Sequence, residues 1–173
     1  MCIRDRFYGI ATTGDHIGFL IDRSGSMGNN NRLKRANTEL LRAIGNLPIT
    51  TKVSIIYFST NAETKKEFTA FKPTQDRMKG LAQWSSSIMP NGGTNPIPAI
   101  KIVLRSDCDQ IFILSDGSFN PQAVQLIAAE NHQNVPINTV ALGGKPESLK
   151  QIAKESKGTF RSTKRWVPPA NQP

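Results

Sequence analysis

Apolar positions along the chain follow two rhythms. Short apolar runs occupy residues 17–21, 53–59, 110–115 and 137–142, and each reads as a buried strand. Between them the spacing changes to that of a helix. Leu33, Ala36, Leu40, Leu41, Ile44 and Leu47 recur on one side, with Arg32, Arg35, Glu39 and Arg42 expected on the other. Asn29, Asn30 and Asn31 are cap candidates for that helix, and Pro48 follows its end. Residues 74–86 predict a helix around Met78, Leu81, Ala82 and Trp84. Thr94 is expected to open the next one, with Pro96 and Pro98 in its first turn and Ile97, Ile100 and Leu104 along it. Asn120 and Pro121 start another, through Val124, Ile127 and Ala128, and residues 147–156 carry Leu149, Ile152 and Ala153 inward.

Three weaker segments complete the pattern. Residues 7–10 suggest a leading edge strand, residues 158–161 a last strand. Residues 63–68 are polar and bear lysines, which suits a short antiparallel strand at a sheet edge. Strands alternating with helices at this spacing imply right-handed crossovers. The expected fold is α/β: a Rossmann-like, doubly wound, mainly parallel central sheet of about six strands, with one antiparallel edge strand, flanked by helices.

The first core strand ends in chemistry. Asp22-Arg23-Ser24-Gly25-Ser26 follows the apolar run, so a carboxylate and two hydroxyls stand at the carboxyl end of a strand. In an open parallel sheet that is the edge where ligands sit. Ser24 and Ser26 flank Gly25, and a tight turn there brings both oxygens to one side. Asn91-Gly92-Gly93-Thr94-Asn95 adds a hydroxyl on a glycine-rich loop, and the run 111–117 repeats the strand-then-aspartate design at Asp116. Asp22, Ser24, Ser26, Thr94 and Asp116 are all oxygen donors, without thiol or imidazole. A hard divalent cation suits them, Mg²⁺ first, with Mn²⁺ or Ca²⁺ as alternates.

This D-x-S-x-S…T…D pattern resembles the metal-ion-dependent adhesion site of von Willebrand factor type A domains, over about residues 17–160. The resemblance implies a protein-binding module, not an enzyme. Ser24 and Ser26 would ligate the ion directly, Thr94 directly or through water, and Asp22 and Asp116 largely through water. A remaining position would take an acidic side chain of a partner protein. Gly93, Asn95 and Arg23 are partner-binding candidates beside it. For Arg23 a solvent-facing loop residue is the favoured reading, although a cation beside the site would suit an acidic partner.

Charge adds a rival. The chain carries 22 Lys plus Arg against 13 Asp plus Glu, a formal +9 over 173 residues, so a nucleic-acid partner is the alternative function. The basic residues are scattered, however, and no aromatics interleave with them for stacking. An enzyme is disfavoured because the nucleophile-elbow pattern needs a glycine where Ser24 stands. His16 and His132 read as surface residues. An EF-hand loop would need glycine at Met27 and glutamate at Leu33, and has neither. Met27, Trp84 and Met89 read as core or as a docking patch, and Cys108 as an inert thiol with no disulfide partner in the domain.

Residues 1–6 look like translated adaptor sequence, residues 7–163 like the domain, and the proline-rich residues 164–173 like a tail or linker. A natural upstream segment is then expected to be missing. The resemblance is to bacterial proteins that precede such a domain with an anchor, which leans towards a membrane-associated or extracytoplasmic location. No apolar run within the chain is long enough for a membrane span.

Overall fold

The computed structural model describes residues 6–117 and 119–163. Of the expected adaptor segment 1–6 all but Arg6, and the whole of the expected tail 164–173, lie outside the described residues. Six strands form the central sheet: β3 (His16–Asp22), β4 (Lys52–Phe58), β5 (Ala62–Glu63), β6 (Gln110–Ser115), β7 (Ile137–Ala141) and β8 (Phe160–Ser162). Their order is β5-β4-β3-β6-β7-β8, and every pairing is parallel except β4 with β5. This is the doubly wound α/β architecture expected.

The two faces follow from side-chain alternation. Ile17, Phe19 and Ile21 of β3 face a core shared with α1 (Arg32–Gly45) and α2 (Gln75–Ser87). Leu20 faces the opposite way, onto α3 (Ile97–Leu104), α4 (Gln122–Glu130) and α5 (Glu147–Glu155). Covered on both sides, β3 and β6 are buried throughout, which is why they read as continuous apolar runs.

Several local expectations need correction. The leading segment does not join the sheet. Tyr8 (φ 49°) and Gly9 (φ 78°) make a two-residue turn, so β1 (Arg6–Phe7) pairs with β2 (Ile10–Ala11) as a separate hairpin. Phe7 then packs edge-on against Phe19 and Phe112, with ring centroids 5.0 and 5.3 Å away. Glu39 is buried instead of lying on the outer face of α1. It accepts the Tyr8 N–H and is clamped by Arg42, so it fastens the hairpin to the helix. His16 is buried as well, its Nε2 2.9 Å from Ser54 Oγ.

Other corrections concern element ends. The polar edge segment is a strand only at β5, then turns into a 3-10 helix at Lys66–Phe68 that buries Phe68. Asn31 precedes α1 in a left-handed conformation, with no side-chain cap bond. The helix after Thr94 starts at Ile97, where Asn95 Oδ1 accepts the Ile97 N–H. That shift leaves Thr94 on the loop.

Candidate metal site

The sheet order places β4 on one side of β3 and β6 on the other, so the chain reverses its winding between β3 and β6. A crevice opens beyond the carboxyl ends of strands at such a reversal. Asp22 ends β3 and Ser115 ends β6, and in register Ile21 pairs with Leu114. The two strand-then-aspartate fragments are therefore neighbours in space.

Asp22 is fully buried and Asp116 is 2% exposed. Ser24 N–H donates to Asp22 Oδ1 at 2.7 Å, and Ser115 Oγ donates to Oδ2 at 2.5 Å. No basic side chain forms an ion pair with Asp22 among the described residues. Burial pushes the Asp22 carboxyl up to about 6, the bonds from Ser115 and Ser24 oppose that rise, and the nearby Asp116 charge adds to it.

The serine loop is held from below and from the side. Residues Gly25–Asn31 form 3-10 turns interrupted by a kink at Asn29 and Asn30, and Met27 drops its side chain fully into the core. Ser24 Oγ and Ser26 Oγ lie 3.2 Å apart, as the glycine between them suggested. Ser24 is buried and Ser26 half-buried.

The glycine-rich loop closes over this turn. Gly25 N–H donates to Gly92 O at 3.1 Å, and Asn91 N–H to Arg23 O at 2.7 Å. Gly93 N–H donates to Thr60 Oγ1, and Asn95 N–H to Ser59 O. Thr94 sits between them, half-buried, and its hydroxyl has no hydrogen-bond partner among the described residues. The loop after β3 thus meets the glycine-rich loop through Gly25 and Arg23, and the end of β6 through the Ser115–Asp22 bond.

The partner-side candidates differ among themselves. Gly93 is exposed. Asn95 is exposed too, but its carbonyl is committed to the start of α3. Arg23 is no free loop residue: it bridges Glu63 (3.2 Å) and Met89 O (3.1 Å), with 23% of its side chain exposed.

Two residues were not foreseen as part of the site. Ser115 orients Asp22, and its place directly before Asp116 at a strand end was the available signal. Arg32 reaches over from α1, with Nη1 3.1 Å from Asp116 Oδ2. Its signal was a cation at a helix start with no acidic residue in the first turn, against the preference of the helix dipole.

Among the described residues no group of three or more His, Cys, Asp or Glu side chains is placed to hold a metal ion. A groove of about 430 Å³ between α1 and α2 is lined by Met27, Leu33, Leu41 and Met89 and by no acidic residue. Met27 and Trp84 are core, whereas Met89 is exposed. Cys108 is buried, and burial pushes its thiol up to about 11. His132 lies exposed.

Comparison with known proteins agrees with this fold. The von Willebrand factor type A domain family matches residues 15–162. A von Willebrand factor type A protein from Catenulispora acidiphila superposes with a TM-score of 0.73 at 15% identity, over 88% of this chain and 39% of that one. The ArnB paralog VWA2 from Sulfolobus acidocaldarius gives 0.64 at 24% identity, over 87% and 41%. Proximal thread matrix protein 1 from the mussel byssus, with a zinc occupied MIDAS motif, gives 0.54 at 18% identity, over 85% and 41%. No curated protein sequence matches the chain. The chain spans about two fifths of the length of these solved relatives.

Proposed function

The chain belongs to the von Willebrand factor type A domain family, generally protein-interaction modules, and on that premise we propose that it binds a partner protein through a divalent cation held at the β3–β6 crevice. The observation that supports this most is Asp22. A fully buried carboxylate without a basic partner is costly to keep in a fold. Here it lies beside a second buried carboxylate and two serine hydroxyls 3.2 Å apart. A divalent cation would balance both carboxylates at once.

The donor chemistry fits a hard ion. Ser24, Ser26 and Thr94 are the candidate direct ligands, and Asp22 and Asp116 supply charge. Thr94 suits its role because its hydroxyl is not spent within the protein. Asp22 suits a less direct role, because Ser24 N–H and Ser115 Oγ already engage its two oxygens. Mg²⁺ is the first choice for an all-oxygen set, with Mn²⁺ or Ca²⁺ as substitutes. A zinc-occupied site in the mussel relative shows that one fold neighbour accepts a divalent ion at its motif.

When bound, the ion supplies an electrophilic position for an anionic oxygen. The protein's part is to keep that position exposed and its ligands mostly neutral, since the hydroxyls remove no positive charge. Gly93 and Asn95 edge the opening without a bulky side chain closing it. An aspartate or glutamate of the partner is the group this arrangement selects.

The test is retention on an immobilised acidic peptide in Mg²⁺ at constant ionic strength. Release by chelator is the expected result. Release by salt alone, with indifference to chelator, would instead favour the phosphate-type binding that the net positive charge allows.

A further inference from the structure

Resting on that reading of the site, we propose that Arg32 is a resident counter-cation which competes with the divalent ion and sets the affinity of the site for it. Arg32 Nη1 lies 3.1 Å from Asp116 Oδ2 and 3.3 Å from Ser26 O, so one nitrogen touches both a carboxylate and the serine loop of the proposed site. The guanidinium is largely enclosed, with 18% of the side chain exposed, against 2% for Asp116. Such a pair is not a loose surface contact.

The surroundings make room for it. Gly143, just beyond β7, has φ +90°, and a Cβ built there would come within 3.1 Å of Arg32 Nη2. The glycine leaves the space that the guanidinium occupies free of a side chain. The chain also turns sharply to deliver the residue: Asn30 and Asn31 both adopt left-handed conformations immediately before Arg32. Arg32 then opens α1, where the helix dipole disfavours a cation and no acidic residue in the first turn compensates. Its placement is unfavourable for the helix dipole, and its bonds to Asp116 and Ser26 offset that.

The consequence follows from charge. Asp22 and Asp116 together carry two negative charges when ionised, and Arg32 already offsets one of them. An incoming divalent ion therefore meets carboxylates whose charge Arg32 partly offsets, which weakens its binding. Loading must either draw Arg32 away from Asp116 or bear its repulsion. Withdrawal would free the guanidinium at the mouth of the site, where an acidic partner arrives.

Mn²⁺ titration by calorimetry of the wild-type chain and of Arg32→Gln tests this. The expected result is a gain of roughly tenfold in affinity for the variant, as removal of one nearby positive charge implies, with a lower melting temperature in chelator. An unchanged or weaker affinity in the variant, beside measurable binding by the wild type, overturns the role of Arg32 alone. Absence of Mn²⁺ binding in both overturns this inference together with the metal reading. Should Arg32→Gln not fold, nitrogen-15 spectra of the wild-type arginine Nε groups give the same answer. The Arg32 signal is expected to move as Mg²⁺ saturates the site, and an unmoved signal during measured binding overturns the proposal.

Discussion

Ser115 Oγ donates to Asp22 Oδ2 across 2.5 Å and joins the carboxyl ends of two adjacent parallel strands. The same oxygen accepts the Gly117 N–H at 3.0 Å, so a single hydroxyl fixes Asp22 and the start of the loop after Asp116 together. Ser115→Ala removes both bonds from a fully buried position. A hydrogen bond to a charged group contributes about 1.5–3 kcal/mol. The variant should therefore lose stability on that order in urea unfolding, and bind Mn²⁺ more weakly because Asp22 is no longer oriented. Equal stability and equal affinity would leave the bond without a role.

The metal-free protein should become more stable as acid is added over a defined range. Asp22 is raised from an ordinary 3.8 to about 6 by burial. A carboxyl with a higher value in the fold than in the unfolded chain binds its proton more tightly when folded. That stabilisation is complete below about 4 and is lost as pH rises through about 6. His16 works in the opposite direction, since burial lowers its value and acid then favours the unfolded chain. Comparison with Asp22→Asn isolates the first effect. In chelator, the wild type should gain more than the variant between pH 7 and pH 5 in thermal melts, and matching profiles would contradict the assignment.

Thr94 and Ser24 should separate binding from folding. The Thr94 hydroxyl has no partner among the described residues, so Thr94→Ala should leave the melting temperature of the metal-free protein unchanged within about 0.5 kcal/mol equivalent. Its retention on the acidic peptide should still fall. Ser24→Ala is expected to reduce retention as well, with a somewhat larger effect on stability because Ser24 is buried against Ser26. A Thr94→Ala variant that melts early but binds normally would reverse the assignment.

The sheet was legible in the sequence because β3, β4, β6 and β7 are covered on both faces and so read as apolar runs. Asp22 and Asp116 were legible for the same reason, each being the first charge after such a run. What escaped depends on contacts that periodicity does not encode. Glu39 lies on a helix stripe that looks polar, and only the returning hairpin buries it. His16 resembled a flanking residue until Ser54, distant in sequence, supplied a buried partner. Arg32 looked like any outer-face cation of α1, and its ion pair with Asp116 spans the site between two loops. Thr94 was misplaced by a few residues because Asn95, not Thr94, satisfies the first N–H of α3. Local rules located the elements and tertiary contacts assigned the polar side chains.

The most direct test of the metal site is Mn²⁺ binding by the wild-type chain and by Asp22→Ala, followed by calorimetry, with circular dichroism as the check on folding. One divalent ion per chain in the wild type, and its loss in a folded Asp22→Ala, is the predicted result. Indistinguishable Mn²⁺ affinity in the two proteins would contradict the claim that this buried carboxylate anchors the site.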